Sequence, residues 1–185
     1  MRNSAADIEV RRAKAFSAFW EMQALWDNNI VPLHLKLKIF KVSVLTVFLY
    51  GCETWILTNQ EEQRINAFAT TCYRHILHID QEQDRVTNVD LYTMVNAQEL
   101  VVEVHKRQLR KLGHFLRKPS TALTNKYALY EPSHGTRRPG RPKQSYKDYI
   151  AKVINFQDPP TEQSIRQTAM DRKAWAKIVK NQDNK

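Results

Sequence analysis

The chain has 185 residues, 42% of them apolar and 10% aromatic, so it can bury a core and is not a disordered tail. Two cysteines exclude a disulfide-stapled scaffold, and an N-terminus holding Arg2, Asp7, Glu9, Arg11 and Arg12 lacks the apolar stretch of a signal peptide. The formal charge of +10 sits in one place: residues 1–99 carry 10 Lys/Arg against 12 Asp/Glu, residues 100–147 carry 12 against 2, and residues 148–185 carry 7 against 5.

Four glycines and many long side chains favour helix over a turn-rich sheet, so the expected class is mainly α. Residues 5–27 read as an amphipathic helix with Ile8, Phe16, Phe19, Trp20 and Trp26 near helical spacing. Pro32 suits a first helical position, and a second helix runs from there to Tyr50. Lys36, Lys38 and Lys41 mark its early polar face. Its later half is expected to be buried on most sides, and Val42, Val44, Thr46 and Val47 leave strand open there. The longest apolar run, Ile39 to Tyr50, contains Lys41 and falls short of the roughly 20 residues that span a bilayer, so no membrane partner is expected.

Gly51 ends that run. Thr58 and Glu61 form a capping box, and Ile65, Phe68, Ala69, Cys72, Ile76 and Ile79 then step along one helical face. Asp80 to Asp84 reads as a loop, and Thr87 caps a short helix through Val95. A long helix is expected from Ala97 to Leu116, with Leu100, Val101, Val104, Gln108, Leu112, Phe115 and Leu116 inward. Residues 118–144 are a basic Pro/Gly linker, residues 145–154 a brief helix, and Thr161 caps a last helix to about Val179. The expected domains are therefore a helical domain over 1–117, the linker over 118–144 and a C-terminal helical segment over 145–185.

Catalytic chemistry finds little footing. The chain has no nucleophile elbow, no Walker loop and no dinucleotide-binding glycine pattern. It has no adjacent Asp pair in an apolar strand context to hold two metal ions, and Glu61-Glu62 is explained by its place at a helix start. Cys72, His75 and His78 are spaced three apart on one helix, with Cys52 upstream, whereas structural zinc usually draws paired ligands from two elements. The residues read better as a buried Cys and partly exposed His, and no metal or cofactor is expected in this chain.

The basic block points elsewhere. Lys106, Arg107, Arg110, Lys111 and Arg117 decorate the polar side of the long helix, five cations over about three turns. In Arg137-Arg138-Pro139-Gly140-Arg141-Pro142-Lys143, two prolines and a glycine hold the backbone extended, and Arg137, Arg138, Arg141 and Lys143 project from a narrow ribbon. Its Gly-Arg-Pro core resembles an AT-hook, although Pro139 stands where an Arg normally precedes the glycine. These nine cations are the expected nucleic-acid-binding residues. Tyr127, Tyr130, Tyr146 and Tyr149 flank the linker, and packing onto a core is preferred for them over stacking on bases.

Several segments together resemble one family. Leu49-Tyr50-Gly51-Cys52-Glu53-Thr54-Trp55 is similar to a signature just after the polymerase palm in non-LTR, LINE-like retrotransposon proteins. The Trp20 to Trp26 helix, the Lys36 to Phe40 run, Asp84 to Asn88, Arg110 to Arg117, Arg138 to Pro142 and Asp171 to Trp175 resemble other segments of that family in the same order. The resemblance implies the thumb and tail of an endonuclease-reverse transcriptase, an RNA-directed DNA polymerase that would use magnesium. The palm with its paired carboxylates and the endonuclease have no counterpart among the 185 residues, so only duplex gripping carries over. It further implies an RNA–DNA hybrid or duplex DNA as partner and a nuclear or cytoplasmic ribonucleoprotein setting. Trp55 reads as core, and the Gly51 bend as a packing hinge. The rival expectation is a degenerate structural or protein-interaction remnant, meeting a missing palm or a second copy through residues 39–50.

Overall fold

In the computed structural model, which describes residues 4–130, 145–154 and 161–184, the N-terminal apolar stripe forms α1 (Ser4–Trp20). The predicted single helix over 5–27 is interrupted by a turn at Glu21-Met22, after which α2 (Gln23–Trp26) follows. The interruption lets Trp26 stack on Phe19, centroids 5.1 Å apart, and donate Nε1–H to the Phe19 carbonyl at 2.7 Å. Trp20, expected inward, is 46% exposed, because on α1 it lies about 100° round from Phe19 and off the stripe of Ile8, Ala15 and Phe19 that is buried.

The regular structure among the described residues is all helical, with no strand, and the strand alternative for the second segment falls with that. That segment folds as α3 (Leu33–Ile39), one wide π-helical turn (Phe40–Val44) and α4 (Leu45–Phe48). Phe40, Val44, Leu45, Phe48 and Leu49 are buried, while Val42 and Tyr50 are exposed together with Thr46. The later half is thus buried along one stripe and open along the i, i+4, i+8 row of Val42, Thr46 and Tyr50. Lys36 departs from the polar face assigned to it. It is buried, and its ammonium donates to the Trp26 carbonyl, one of the orphan acceptors at the end of α2.

Gly51 adopts φ +80°, a left-handed conformation that glycine takes at least cost, and so reverses the chain into a short 3₁₀ turn (Cys52–Thr54). Trp55 is core: it is 1% exposed and donates Nε1–H to Asp7 Oδ2 at 2.8 Å. Helix α5 (Asn59–Leu77) opens on the predicted capping box, Thr58 accepting from the Glu61 amide and Glu61 accepting from the Thr58 amide. Its buried face meets α1, α3 and α7, and Phe68 stacks on Phe48 at 4.5 Å while meeting Phe16 edge-on at 4.7 Å. Asp80 to Asp84, expected as a loop, contains one helical turn, α6 (Gln81–Asp84), because Asp80 accepts from the Glu82 amide as its cap. Thr87 caps α7 (Asn88–Met94) as expected.

The chain divides into two compact units, Met1–Val104 and His105–Lys185. Helix α8 (Leu100–Leu116) starts in the first, where Asn66 Oδ1 accepts from the Val101 amide, and supplies the leading helix of the second. In the second unit the described part of the linker region holds one short helix, α9 (Leu123–Tyr127), and α10 (Tyr146–Ile154) follows later in the chain. The predicted last helix is two. α11 (Glu162–Met170) is capped by Thr161, and α12 (Arg172–Lys180) is capped by Asp171, whose carboxylate accepts from the Lys173 and Ala174 amides. Asp171 withdraws from helical geometry to serve as that cap, and so the single helix is broken there.

The second unit is built around α8. Leu109, Leu112, Gly113 and Leu116 are buried with Tyr149, Ile150, Val153, Ile165, Ala169, Trp175 and Val179. Gln108, fully buried on this face, accepts from the Tyr149 hydroxyl at 2.9 Å, so the amide oxygen is paired within the core.

Candidate nucleic-acid interface

Helical geometry sorts the cations of α8 and of the two residues that follow it into two rows. Lys106, Arg110 and Arg117 share one stripe, and Arg107, Lys111 and Lys118 follow a second stripe about 100° round the axis. The first row opens onto a groove. Trp175 of α12 lies across Gly113 so closely that a Cβ there would stand 2.3 Å from the indole Nε1, and that nitrogen donates to the Leu109 carbonyl at 2.8 Å. Only glycine permits this approach. It brings the cations of α12 alongside those of α8.

The resulting groove, about 450 Å³, is lined by Lys106, Arg110 and Arg117 from the α8 side and by Arg172 and Lys180 from α12, with Trp175, Ala176 and Val179 as its remaining surface. Five cations thus meet in one concavity, and among the described residues lining it none is acidic. Arg110, Arg172 and Lys180 are exposed, whereas Arg117 is half-buried and held by Nη1 to the Ala169 carbonyl at 2.9 Å. The carboxylate adjoining Arg172, Asp171, is engaged as the cap of α12. The charge of the sequence divides as the structure does. Residues 1–104 carry 10 Lys/Arg against 13 Asp/Glu, and residues 105–185 carry 19 against 6. The charged side chains among the described lining residues are all cationic, and the unit that carries them has the same net sign.

Lys106, Arg110 and Arg117 therefore stand together. Arg107 and Lys111 do not line the groove, and Lys111 instead lies over the Phe115 ring at 5.2 Å, with Lys118 over the same ring at 5.6 Å. Arg137, Arg138, Arg141 and Lys143, and with them the AT-hook-like segment, lie outside the described residues. Arg172, Lys180 and Trp175 were not singled out for binding from the sequence. The spacing of Arg172, Ala176 and Lys180, four residues apart, is the available signal, and it becomes legible only once Asp171 is recognised as a cap.

The tyrosines divide. Tyr149 packs in the core as expected, with Tyr146 partly covered beside it. Tyr127 and Tyr130 are exposed, contrary to the packing expected of them, because Leu129 between them is the residue that turns inward.

In the first unit, Cys72 is buried in the α5 core, where desolvation pushes its thiol up. His75 lies edge-on to Trp20 at 4.7 Å, and His78 is the left-handed C-cap of α5, so the three residues of that spacing go to separate surroundings. No helix among the described residues is long and apolar enough to cross a membrane. Comparison of the chain with family models, with curated proteins and with solved structures gives no match.

Proposed function

We propose that the second unit is a nucleic-acid-binding module that grips RNA–DNA hybrid or duplex DNA by its phosphates, as the thumb and tail of a non-LTR retrotransposon reverse transcriptase would. The observation that carries this reading is the groove in which Lys106, Arg110, Arg117, Arg172 and Lys180 meet, with no acidic residue among the described residues that line it. Phosphate contact of this kind positions a duplex without reading its sequence, because guanidinium and ammonium groups see the same backbone at every step. Polymerase and endonuclease activity, with the magnesium such a polymerase uses, belong in this reading to parts of a parent protein that have no counterpart here. A nuclear or ribonucleoprotein location follows from the same reading.

Salt dependence tests it directly. Five phosphate contacts give a slope of about −4.5 in log affinity against log salt, which is a loss of roughly 500-fold between about 50 and 200 mM salt. Arg172→Ala combined with Lys180→Ala should make the slope shallower by about 2, with equal weakening on unrelated sequences. A flat salt response, or weakening confined to one sequence, would overturn the proposal.

The protein-interaction reading keeps one supporting observation. A groove of about 410 Å³ in the first unit is lined by Leu33, Leu37, Met94 and Val95 beside His34, Lys38 and Lys41, with Leu33 and Met94 exposed. A chain that sediments as a monomer at every concentration argues against it.

A further inference from the structure

A groove that grips phosphates leaves the bases unread, and no described residue of its lining offers an open aromatic face to one. Trp175 is buried and its N–H is committed to Leu109. The same unit nevertheless displays two aromatic rings. Tyr127 is 52% exposed and Tyr130 58% exposed, and they meet edge-on with centroids 5.4 Å apart at 76°. An edge-on contact covers at most one face of one ring, so flat aromatic surface remains open. The Lys126 ammonium lies over one face of the Tyr127 ring, 5.7 Å from its centroid, which leaves Tyr130 as the more open of the two rings.

These rings are held on a rigid support. Two residues before Tyr127, Asn125 is buried and donates Nδ2–H to the carbonyls of Leu116 at 3.0 Å and Lys118 at 2.6 Å, closing the end of α8. Arg166 of α11 clasps Asn125 from the other side, bonding both its side-chain oxygen and its backbone carbonyl, and Glu162 holds Arg166 at 2.8 Å. Leu129, 2% exposed, anchors the turn, which closes with the Tyr130 amide donating to the Tyr127 carbonyl at 3.3 Å. With Asn125 and Leu129 fixed inward, Tyr127 and Tyr130 are set outward by the backbone. A preorganised aromatic pair with few rotatable bonds loses little entropy when something stacks on it.

We infer that Tyr127 and Tyr130 form a stacking platform for an unpaired nucleobase, so that the ligand of the second unit is a duplex with a single-stranded extension. The inference rests on the phosphate-binding reading above and specifies its substrate. Bases inside a duplex are already stacked on one another, and a side chain reaches their faces only at an end or in a single strand. The net positive charge of residues 105–185 supplies the backbone attraction, and the tyrosines supply a contact every base can make.

The test compares the full chain on a blunt duplex and on the same duplex with a short unpaired overhang, by fluorescence anisotropy at fixed salt. The overhang should bind about tenfold tighter, the contribution of one stacked base. Tyr127→Ala with Tyr130→Ala should abolish that preference while leaving blunt-duplex affinity within about twofold, since both side chains are exposed and outside the groove. Tyr127→Trp with Tyr130→Trp should restore the preference, with quenching of the introduced indole emission. Equal binding of the two duplexes by the wild-type chain overturns the platform while salt-sensitive binding of both leaves the groove reading intact. Failure to bind either duplex overturns the phosphate-binding reading itself. A change in sedimentation of the Ala variant with unaltered overhang preference assigns the surface to protein contact instead.

Discussion

Gly113→Ala tests the packing that makes the groove. A methyl group built on Gly113 would stand 2.3 Å from Trp175 Nε1, 2.7 Å from Cδ1 and 2.9 Å from Cε2. Ordinary contact begins near 3.4 Å, so the indole, a rigid ring only 3% exposed, has to retreat by roughly 1 Å. That retreat breaks its 2.8 Å bond to the Leu109 carbonyl. Losing the bond and leaving a buried N–H unpaired costs about 1–3 kcal/mol, and the displaced ring adds about 1–3 kcal/mol of overpacking. Alanine returns about 0.5–1 kcal/mol through its better helix propensity. The net expectation is a loss of about 2–4 kcal/mol. Urea denaturation followed by hydrogen exchange of the α12 amides measures it, and duplex affinity should fall in parallel as Arg172 and Lys180 move away from α8. In a Trp175→Ala background the same substitution should cost nothing further, since the ring it meets is gone. If Gly113→Ala proves as stable as the wild type or gains the propensity increment, α12 does not pack across Gly113 and the groove argument fails with it.

Asn125→Ala should orphan the Leu116 and Lys118 carbonyls and remove one of the bonds of the Arg166 guanidinium, which keeps the Asn125 backbone carbonyl and Glu162, at a cost of about 2–4 kcal/mol read by thermal or urea unfolding. Asn125→Asp keeps the acceptor for Arg166 and loses the donors, so it should fall between, and indifference to both would contradict the network. Tyr73 is 3% exposed, and burial, with a smaller contribution from neighbouring Cys72, pushes its phenol up from 10.0 to about 12. The unfolded chain therefore ionises first, and stability present below about pH 10 is lost as pH rises toward about 12, by about 2–3 kcal/mol. Urea midpoints across that range measure the loss, and a Tyr73→Phe variant should show a shallower decline. An equal decline in that variant would assign the effect to other groups.

Much of the helical pattern was legible because its signals act within a turn of their own residues. Thr58 with Glu61, Thr87 and Thr161 each satisfy amides two or three residues on, so spacing alone identifies them. The stripes of α5 and α8 follow 3.6-residue periodicity for the same reason. Where a local signal was overlooked, as at Asp80 and Asp171, a carboxylate capped a helix that composition alone did not announce. Lys36 was misplaced because its partner, the Trp26 carbonyl, is ten residues away and buried.

By itself the sequence determined the helical class, the caps, the concentration of charge after Leu100 and the row of cations on α8. Only the tertiary structure decided which of those cations act together. The groove joins Lys106 and Arg110 to Arg172 and Lys180, and that meeting depends on Trp175 seating over a residue without a side chain. It likewise decided that Tyr149 is core and that Tyr127 and Tyr130 are surface. Such outcomes follow from packing between segments far apart in the chain, where volumes and buried hydrogen bonds select one arrangement that periodicity leaves open.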